Sequence, residues 1–407
     1  MKQKFVGNIL VTALLLCLFM TGSAFATNYA YVLVPNDDVI KVYNYKSNSL
    51  YGIIDLDGGS YTYDEESSST LREPFATTNP SYAPNATQTF GTIAAMEVGP
   101  QERYLYIVSD NGAATAGKLY QLDITGNSTD KIEPFNVITE LAQVGIRPKA
   151  IAVDSVTNFV FVANYGDNTV TKYTKSTGTV IQLTGFYKPI ALAVTSGNIS
   201  RGSDLYVANF EPQSEKYYVS MYNAFIKMDI EVTNRPTDIV TTLDNEYVYV
   251  CNSSDTAGLI SVIKPVDYLD VESDGDPIFA AGENTVVDRI SIADAKPTRM
   301  ALVELENRIY TIDPVFGETA DDLTITFGTG TMSVIDCSGR ENETIDPDDE
   351  NEAHIFSRNV TPTITPYGDP AITDYSGGIS IAGTRNGTSV FTVTGVVDEH
   401  SFFQTDI

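Results

Sequence analysis

Apolar residues come in short runs along this chain, and two kinds of run alternate. Phe159-Val160-Phe161-Val162-Ala163 is apolar at every position, whereas Thr169-Val170-Thr171-Lys172-Tyr173 alternates polar with apolar. A short, wholly apolar run predicts a β-strand covered on both faces. A period of two predicts a strand nearer an exposed rim. Gly, Pro, Asn-Gly and Asp-Gly punctuate the chain too often for long helices, so the pattern predicts an all-β protein.

The same order of runs recurs. Arg147-Pro148 leads into Ala150 to Val153, then Phe159 to Asn164, then Thr169 to Tyr173. Lys188-Pro189 leads into Ala191 to Val194, Leu205 to Asn209 and Tyr218 to Tyr222. Arg235-Pro236 leads into Ile239 to Thr242, Tyr247 to Asn252 and Leu259 to Ile263, and Lys296-Pro297 into Met300 to Val303, Arg308 to Ile312 and Thr331 to Ile335. The prolines are 41, 47 and 61 residues apart, a spacing that suits one four-stranded propeller blade with variable loops. Ile93 to Ile124 makes an earlier unit without the proline. Tyr31 to Tyr43 reads as second and third strands with no first strand before them, and Gly378 to Val393 as first and second strands. The prediction is a single β-propeller of four-stranded antiparallel blades: seven, or six if the two ends share one. A β-sandwich would also show short strands, but not a recurring basic-Pro lead-in and Asn exit.

Phe161-Val162-Ala163-Asn164, Tyr206-Val207-Ala208-Asn209 and Tyr249-Val250-Cys251-Asn252 resemble the Tyr-Val-Thr-Asn signature of the YVTN-repeat, quinoprotein amine dehydrogenase-like propellers. The likeness covers most of Ala94 to Ile335. It implies a rigid ring with function in its loops or central channel, and some relatives of this fold are lactonases or bind redox cofactors. Trp is absent, so the Trp-Asp type of propeller is not supported. Two stretches depart from the pattern and read as inserted surface loops, one near 60–89 that is Ser/Thr/Pro-rich and one near 339–352 that is highly acidic.

The first 26 residues hold Lys2 and Lys4, an apolar run from Ile9 to Met20, and small residues ending in Ala24-Phe25-Ala26. That order predicts a cleaved signal peptide at 1–26 and an exported, extracellular or periplasmic propeller domain at 27–407. The run is shorter than the roughly 18 to 20 residues a span requires, and no later stretch is apolar enough to cross a bilayer. The net charge is −28, and more negative once the leader's two lysines are gone. Nucleic acid is therefore not an expected partner, since its affinity rests on basic side chains that neutralise phosphates.

Chemistry-bearing residues are sparse. Only His354 and His400 offer imidazole, which excludes a metal centre built from several histidines, and no Cys-x-x-Cys-His is present for covalent haem. Cys251 and Cys337 end different strands in neighbouring units and are expected to stay unpaired. No cofactor is firmly implied. Calcium is the candidate metal: Asp270, Glu272, Asp274 and Asp276 place carboxylates at alternate positions around Gly275, as oxygen ligands are spaced in a calcium loop. A solvated acidic turn is the competing reading. Asn164, Asn209 and Asn252 are expected to brace the turns that follow them by bonding amides two residues on. Arg147, Lys188, Arg235 and Lys296 precede first strands, which line a propeller's channel, so all four are expected at one channel mouth as an anion or acidic-group site. The alternative for them is to shape the lead-in turn and pair with local carboxylates. With no nucleophile elbow and no phosphate loop, the favoured function is a non-enzymatic module for a protein or cell-surface partner. The alternative is an exported hydrolase or lactonase with an acidic, calcium-assisted channel site.

Overall fold

The computed structural model describes residues within 29–62, 91–336 and 364–406, apart from short linking stretches inside those ranges. Strands are their only repetitive structure, and no helix among them is long and apolar enough to cross a membrane. The first sheet runs in order through β1 (Tyr29–Val34), β2 (Val39–Asn44), β3 (Ser49–Asp55) and β4 (Tyr61–Thr62). The second holds β5 (Thr92–Val98), β6 (Tyr104–Asp110), β7 (Ala116–Asp123) and β8 (Ile138–Ile146). The third holds β9 (Pro148–Val153), β10 (Phe159–Asn164), β11 (Thr169–Thr174) and β12 (Thr179–Leu183), and the fourth β13 (Pro189–Val194), β14 (Leu205–Asn209), β15 (Tyr217–Tyr222) and β16 (Lys227–Val232).

The fifth sheet is built from β17 (Arg235–Thr241), β18 (Val248–Ser253) and β19 (Gly258–Lys264). A two-stranded ribbon follows, β20 (Tyr268–Val271) with β21 (Pro277–Phe279), before the sheet ends in β22 (Thr285–Ile292). The sixth joins β23 (Arg299–Val303), β24 (Arg308–Asp313) and β27 (Thr331–Asp336), with the ribbon of β25 (Phe316–Thr319) and β26 (Asp322–Ile325) inserted between the last two. In the seventh the order is β28 (Ile364–Tyr367), β31 (Glu399–Asp406), β30 (Ser389–Val396), β29 (Gly378–Gly383), so its outermost strand comes first in the chain. Every neighbouring pair is antiparallel.

First strands of successive sheets pack side by side, β5 on β9, β9 on β13, β13 on β17, β17 on β23 and β23 on β29. Four-stranded sheets arrayed around their own first strands make a β-propeller. The strands of the two ends lie in separate sheets, and Tyr29–Val34 is an edge strand with β2, β3 and β4 stacked beyond it. The expected second-strand place for that segment, and a blade shared between the ends, are not what the sheet pairing shows. β4 also begins inside the stretch expected to be all loop; the rest of 63–90, and 337–363, lie outside the described residues.

The wholly apolar second strands are explained by what covers them. Val160 and Val162 pack on Tyr106, Val108 and Leu119 of the sheet before. Phe161 and Ala163, on the other face, pack on Leu205 and Val207 of the sheet after. Alternate side chains of one strand thus serve two cores. A shared irregularity marks the repeat: the first strand slips register just after its lead-in, between Ile93 and Ala95, Pro148 and Ala150, Pro189 and Ala191, Pro236 and Asp238, and Gly378 and Ser380. Each slip is a β-bulge, which inserts one unpaired residue.

Candidate functional site

At the lead-in to β9 and β13 the basic residue adopts a left-handed backbone, φ 50° at Arg147 and 52° at Lys188. Such a conformation costs a non-glycine residue about 1 to 2 kcal/mol. It turns the carbonyl of each toward the turn after the second strand of its own sheet. Arg147 O accepts from Tyr165 N at 3.0 Å and Lys188 O from Phe210 N at 3.0 Å. The chain passes so close here that a Cβ on Gly166 would stand 2.7 Å from Ile146 O, which requires glycine. The residue after each second-strand Asn is thereby pinned beside the next basic side chain.

The basic side chains sit against those pinned rings. The Arg147 guanidinium lies 5.6 Å from the Tyr165 ring centre and Lys188 Nζ 4.9 Å from the same ring. Arg235 lies 4.5 Å from Phe210 and 6.0 Å from Tyr217. Tyr165 and Phe210 meet edge to face at 6.1 Å. Arg147, Tyr165, Lys188, Phe210 and Arg235 therefore form one half-buried row in which cations and rings alternate across three sheets. A cation over a ring gains about 0.5 to 1 kcal/mol at an exposed site. Lys296 lies outside the described residues.

The third sheet carries a positive excess along its length. Residues 147 to 188, the third sheet with its two basic lead-ins, hold five basic residues and two acidic ones, Asp154 and Asp167, in a chain of net charge −28. Both acids are engaged. Asp167 accepts from Ile146 N at 3.0 Å and Thr169 Oγ1 at 2.8 Å, while Asp154 accepts from Val156 N at 2.8 Å and from the hydroxyls of Thr157 and Ser203. Two further lysines of the sheet also rest on rings. Lys172 Nζ is 3.7 Å from the Phe159 centre and Lys175 Nζ 3.8 Å from that of Tyr104. Burial lowers the Lys172 pKa, against the pull of Asp154.

A buried carboxylate joins two first strands. Asp238 on β17 faces β23, where its Oδ2 accepts from Met300 N at 2.8 Å while Oδ1 accepts from Ile239 N at 3.0 Å. Arg299 beside it donates to the carbonyls of Thr298 at 2.9 Å and Thr237 at 3.1 Å. Burial raises the Asp238 carboxyl above its ordinary pKa, with Arg299 and the two amides opposing. The sequence reading missed this pair, although both residues stand two places after a lead-in proline.

The repeated asparagines are structural, by a different route from the one expected. The amides two residues after Asn164 and Asn209 go instead to Ile146 O and Tyr187 O, and the one after Asn252 lies outside the described residues. Asn164 donates to Thr169 Oγ1 at 3.0 Å and Thr171 Oγ1 at 2.9 Å. Asn209 donates to Tyr218 O and Ser220 Oγ and accepts from Tyr187 N at 2.9 Å. Asn252 donates to Asn234 O at 3.1 Å and accepts from Ser261 Oγ at 2.8 Å. They tie the second strand to the third and, in the last two cases, to the lead-in of their own sheet. Of the candidate calcium ligands, Asp270 lies in β20 opposite Ile278. Glu272, Asp274 and Asp276 fall in the link to β21, outside the described residues, as do Cys337 and His354.

No protein-family model matches the chain, and no curated protein matches it. Among solved structures it is similar to hydrazine synthase of Kuenenia stuttgartiensis, at 12% identity and a TM-score of 0.43 over 77% of this chain and 96% of that one. It is also similar to a functionally unknown protein from Desulfotomaculum acetoxidans, at 14% and 0.40 over 77% and 93%. A chain of a nidogen/laminin complex aligns at 10% and 0.41 over 69% and 83%. The propeller assignment rests on the packing of first strands described above.

Proposed function

We propose that the chain is an exported, seven-bladed propeller of the YVTN-repeat kind that serves as a non-enzymatic binding module. Its row of Arg147, Lys188 and Arg235 takes carboxylates of a protein or cell-surface partner. The observation that carries this reading is the convergence of three of the sequence's four candidate cations on two rings that touch each other. Cations stacked on rings are held in place, so little freedom is lost when an anion docks.

A hydrolase would need several carboxylates around a first-strand arginine. Asp238 is the carboxylate that the described first strands bring to Arg299, and backbone amides hold both its oxygens, which favours a clip between sheets over a catalytic acid. The test is binding of fluorescent poly-glutamate to the processed protein and to the Arg147→Gln, Arg235→Gln double variant. Binding that falls about tenfold, or about 1.4 kcal/mol, with a melting temperature lowered no further than the lost ring contacts account for supports the site. Binding that persists while the melting temperature drops reduces both residues to builders of the lead-in turn.

A further inference from the structure

Three large apolar side chains are exposed among the described residues, and two are neighbours on β12, Val180 at 40% and Ile181 at 47%. Thr179 through Gln182 are all exposed. Consecutive strand residues point to opposite faces, so no single apolar patch accounts for the pair. What Val180 and Ile181 share is a strand edge, because β12 pairs with β11 on one side and is the last strand in the order of the third sheet.

Three other outer strands carry charge at the same place, while the shorter β4 and β28 have none. β8 has Glu140, ion-paired at 2.9 Å with Lys118. β16 has Lys227, Asp229 and Glu231, engaged with one another and with Lys216, and β22 has Asp288 and Arg289. Charged edge residues protect a strand from pairing with another chain. The β12 sequence Thr-Val-Ile-Gln-Leu has none. The sheet behind this unguarded edge has the local positive excess described above, and Lys172 stands directly across from Ile181 on β11. The Lys172 ammonium itself leans the other way, 3.7 Å from the Phe159 ring on β10, so the attraction on an added strand is the field of the whole sheet, which reaches it at low salt, where the Debye length exceeds roughly 10 Å.

We infer that β12 is a docking edge at which an extended, acidic segment of a partner protein adds as a further strand, its apolar side chains against Val180 and Ile181. Main-chain hydrogen bonds supply affinity in this mode and alternate side chains supply selection. A second copy of the chain is a poorer occupant, because pairing β12 with itself sets two positively charged sheets edge to edge. The edge is separate from the cation row, so either can fail without the other.

The probe is a synthetic peptide, Glu-Thr-Val-Thr-Val-Thr-Val-Glu, titrated into the processed protein by fluorescence anisotropy. A twin with Lys at both ends and a copy N-methylated at alternate amides serve as controls. The Glu-ended peptide is expected to bind, the Lys-ended twin about tenfold more weakly at low salt with the gap closing as salt rises, and the N-methylated copy not at all. Ile181→Lys, and separately the milder Val180→Thr, Ile181→Thr double variant, should weaken binding about tenfold at unchanged melting temperature. Arg147→Gln with Arg235→Gln should leave this peptide's binding in place. The inference is overturned if the peptide does not bind, if Ile181→Lys binds it as well as the parent, or if sedimentation shows a dimer that Ile181→Lys abolishes, since a second copy would then hold the edge.

Discussion

The thiol of Cys251 donates to the carbonyl oxygen of Pro297, 3.0 Å away and 46 residues on. Cys251 is fully buried, and its own carbonyl accepts from Thr237 Oγ1 at 3.3 Å. The second strand of the fifth sheet is thus fastened to the lead-in of the sixth. Ala163 and Ala208 hold the matching place in β10 and β14, so Cys251→Ala is expected to fold and to lose about 1 to 2 kcal/mol. Cys251→Leu, which overfills the site, should lose at least as much. Urea denaturation compares the three proteins. The native thiol should resist a water-soluble thiol reagent until the chain unfolds.

Asn209 offers a sharper loss. Its amide serves Tyr187 N, Tyr218 O and Ser220 Oγ at once, and Ser220 in turn donates to Asp229 at 2.5 Å. Asn209→Ala strands the buried Ser220 hydroxyl and the part-buried Tyr187 N and Tyr218 O, and a buried group left unmet costs about 1 to 3 kcal/mol. The melting temperature should therefore fall further than for Cys251→Ala. A smaller fall would mean that water replaces the amide.

Asp238 should make stability depend on pH. Its folded pKa is raised, chiefly by burial, so the folded chain holds this proton more tightly than the unfolded chain does. The group's contribution is full below the unfolded value of about 4 and is lost as pH rises through the raised folded value. Asp238→Asn removes that titration and keeps an acceptor for Met300 N. The urea midpoint of the variant should gain on the parent's as pH climbs from 4 to 7. Parallel midpoints would show that the carboxyl does not titrate on folding.

Tyr165 stands between Arg147 and Lys188 and touches Phe210. Tyr165→Leu removes the ring from two cations and should cost about 1 to 2 kcal/mol, whereas Tyr165→Phe keeps it and should melt with the parent. Equal melting of all three would show that the ring does not hold the cations.

Export predicts processing after Ala26, with Thr27 as the new first residue. Sequencing the N-terminus of protein recovered outside the cytoplasm checks this, and a chain still beginning at Met1 removes the signal-peptide reading.

In the four proline-led sheets the first, second and third strands were readable because each carries a strong pattern: a proline lead-in, an unbroken apolar run, or a period of two; without a proline before it, Tyr29–Val34 was assigned the wrong place. Fourth strands escaped. Thr179 to Gln182 is exposed along its length, so its pattern names no buried face. Lys227–Val232 does alternate charged with apolar residues, in step with its burial, and was a signal the sequence offered but the reading did not use. The cations were legible as a repeat, but their partners were not, since Tyr165 and Phe210 sit in turns where apolar periodicity says nothing. Their shared place, directly after Asn164 and Asn209, was the available signal. The Asp238 and Arg299 contact depends on first strands of different sheets lying side by side, which no local run encodes.

The recurring bulge has a consequence for how this protein can change. The unpaired residue it inserts is Ala94, Lys149, Ile190, Thr237 or Ile379 in the different sheets, ranging from a methyl group to an ammonium. Because that residue stands outside the ladder, its identity can vary while the strand pairing on either side stays the same. The sheets have used that freedom differently: Ile190 fills a core and Thr237 bonds Cys251 O and Pro297 O, whereas Lys149 is only half-buried. In the third sheet, therefore, the bulge is a place at the inner edge of the ring where a side chain can change without disturbing the register of the fold.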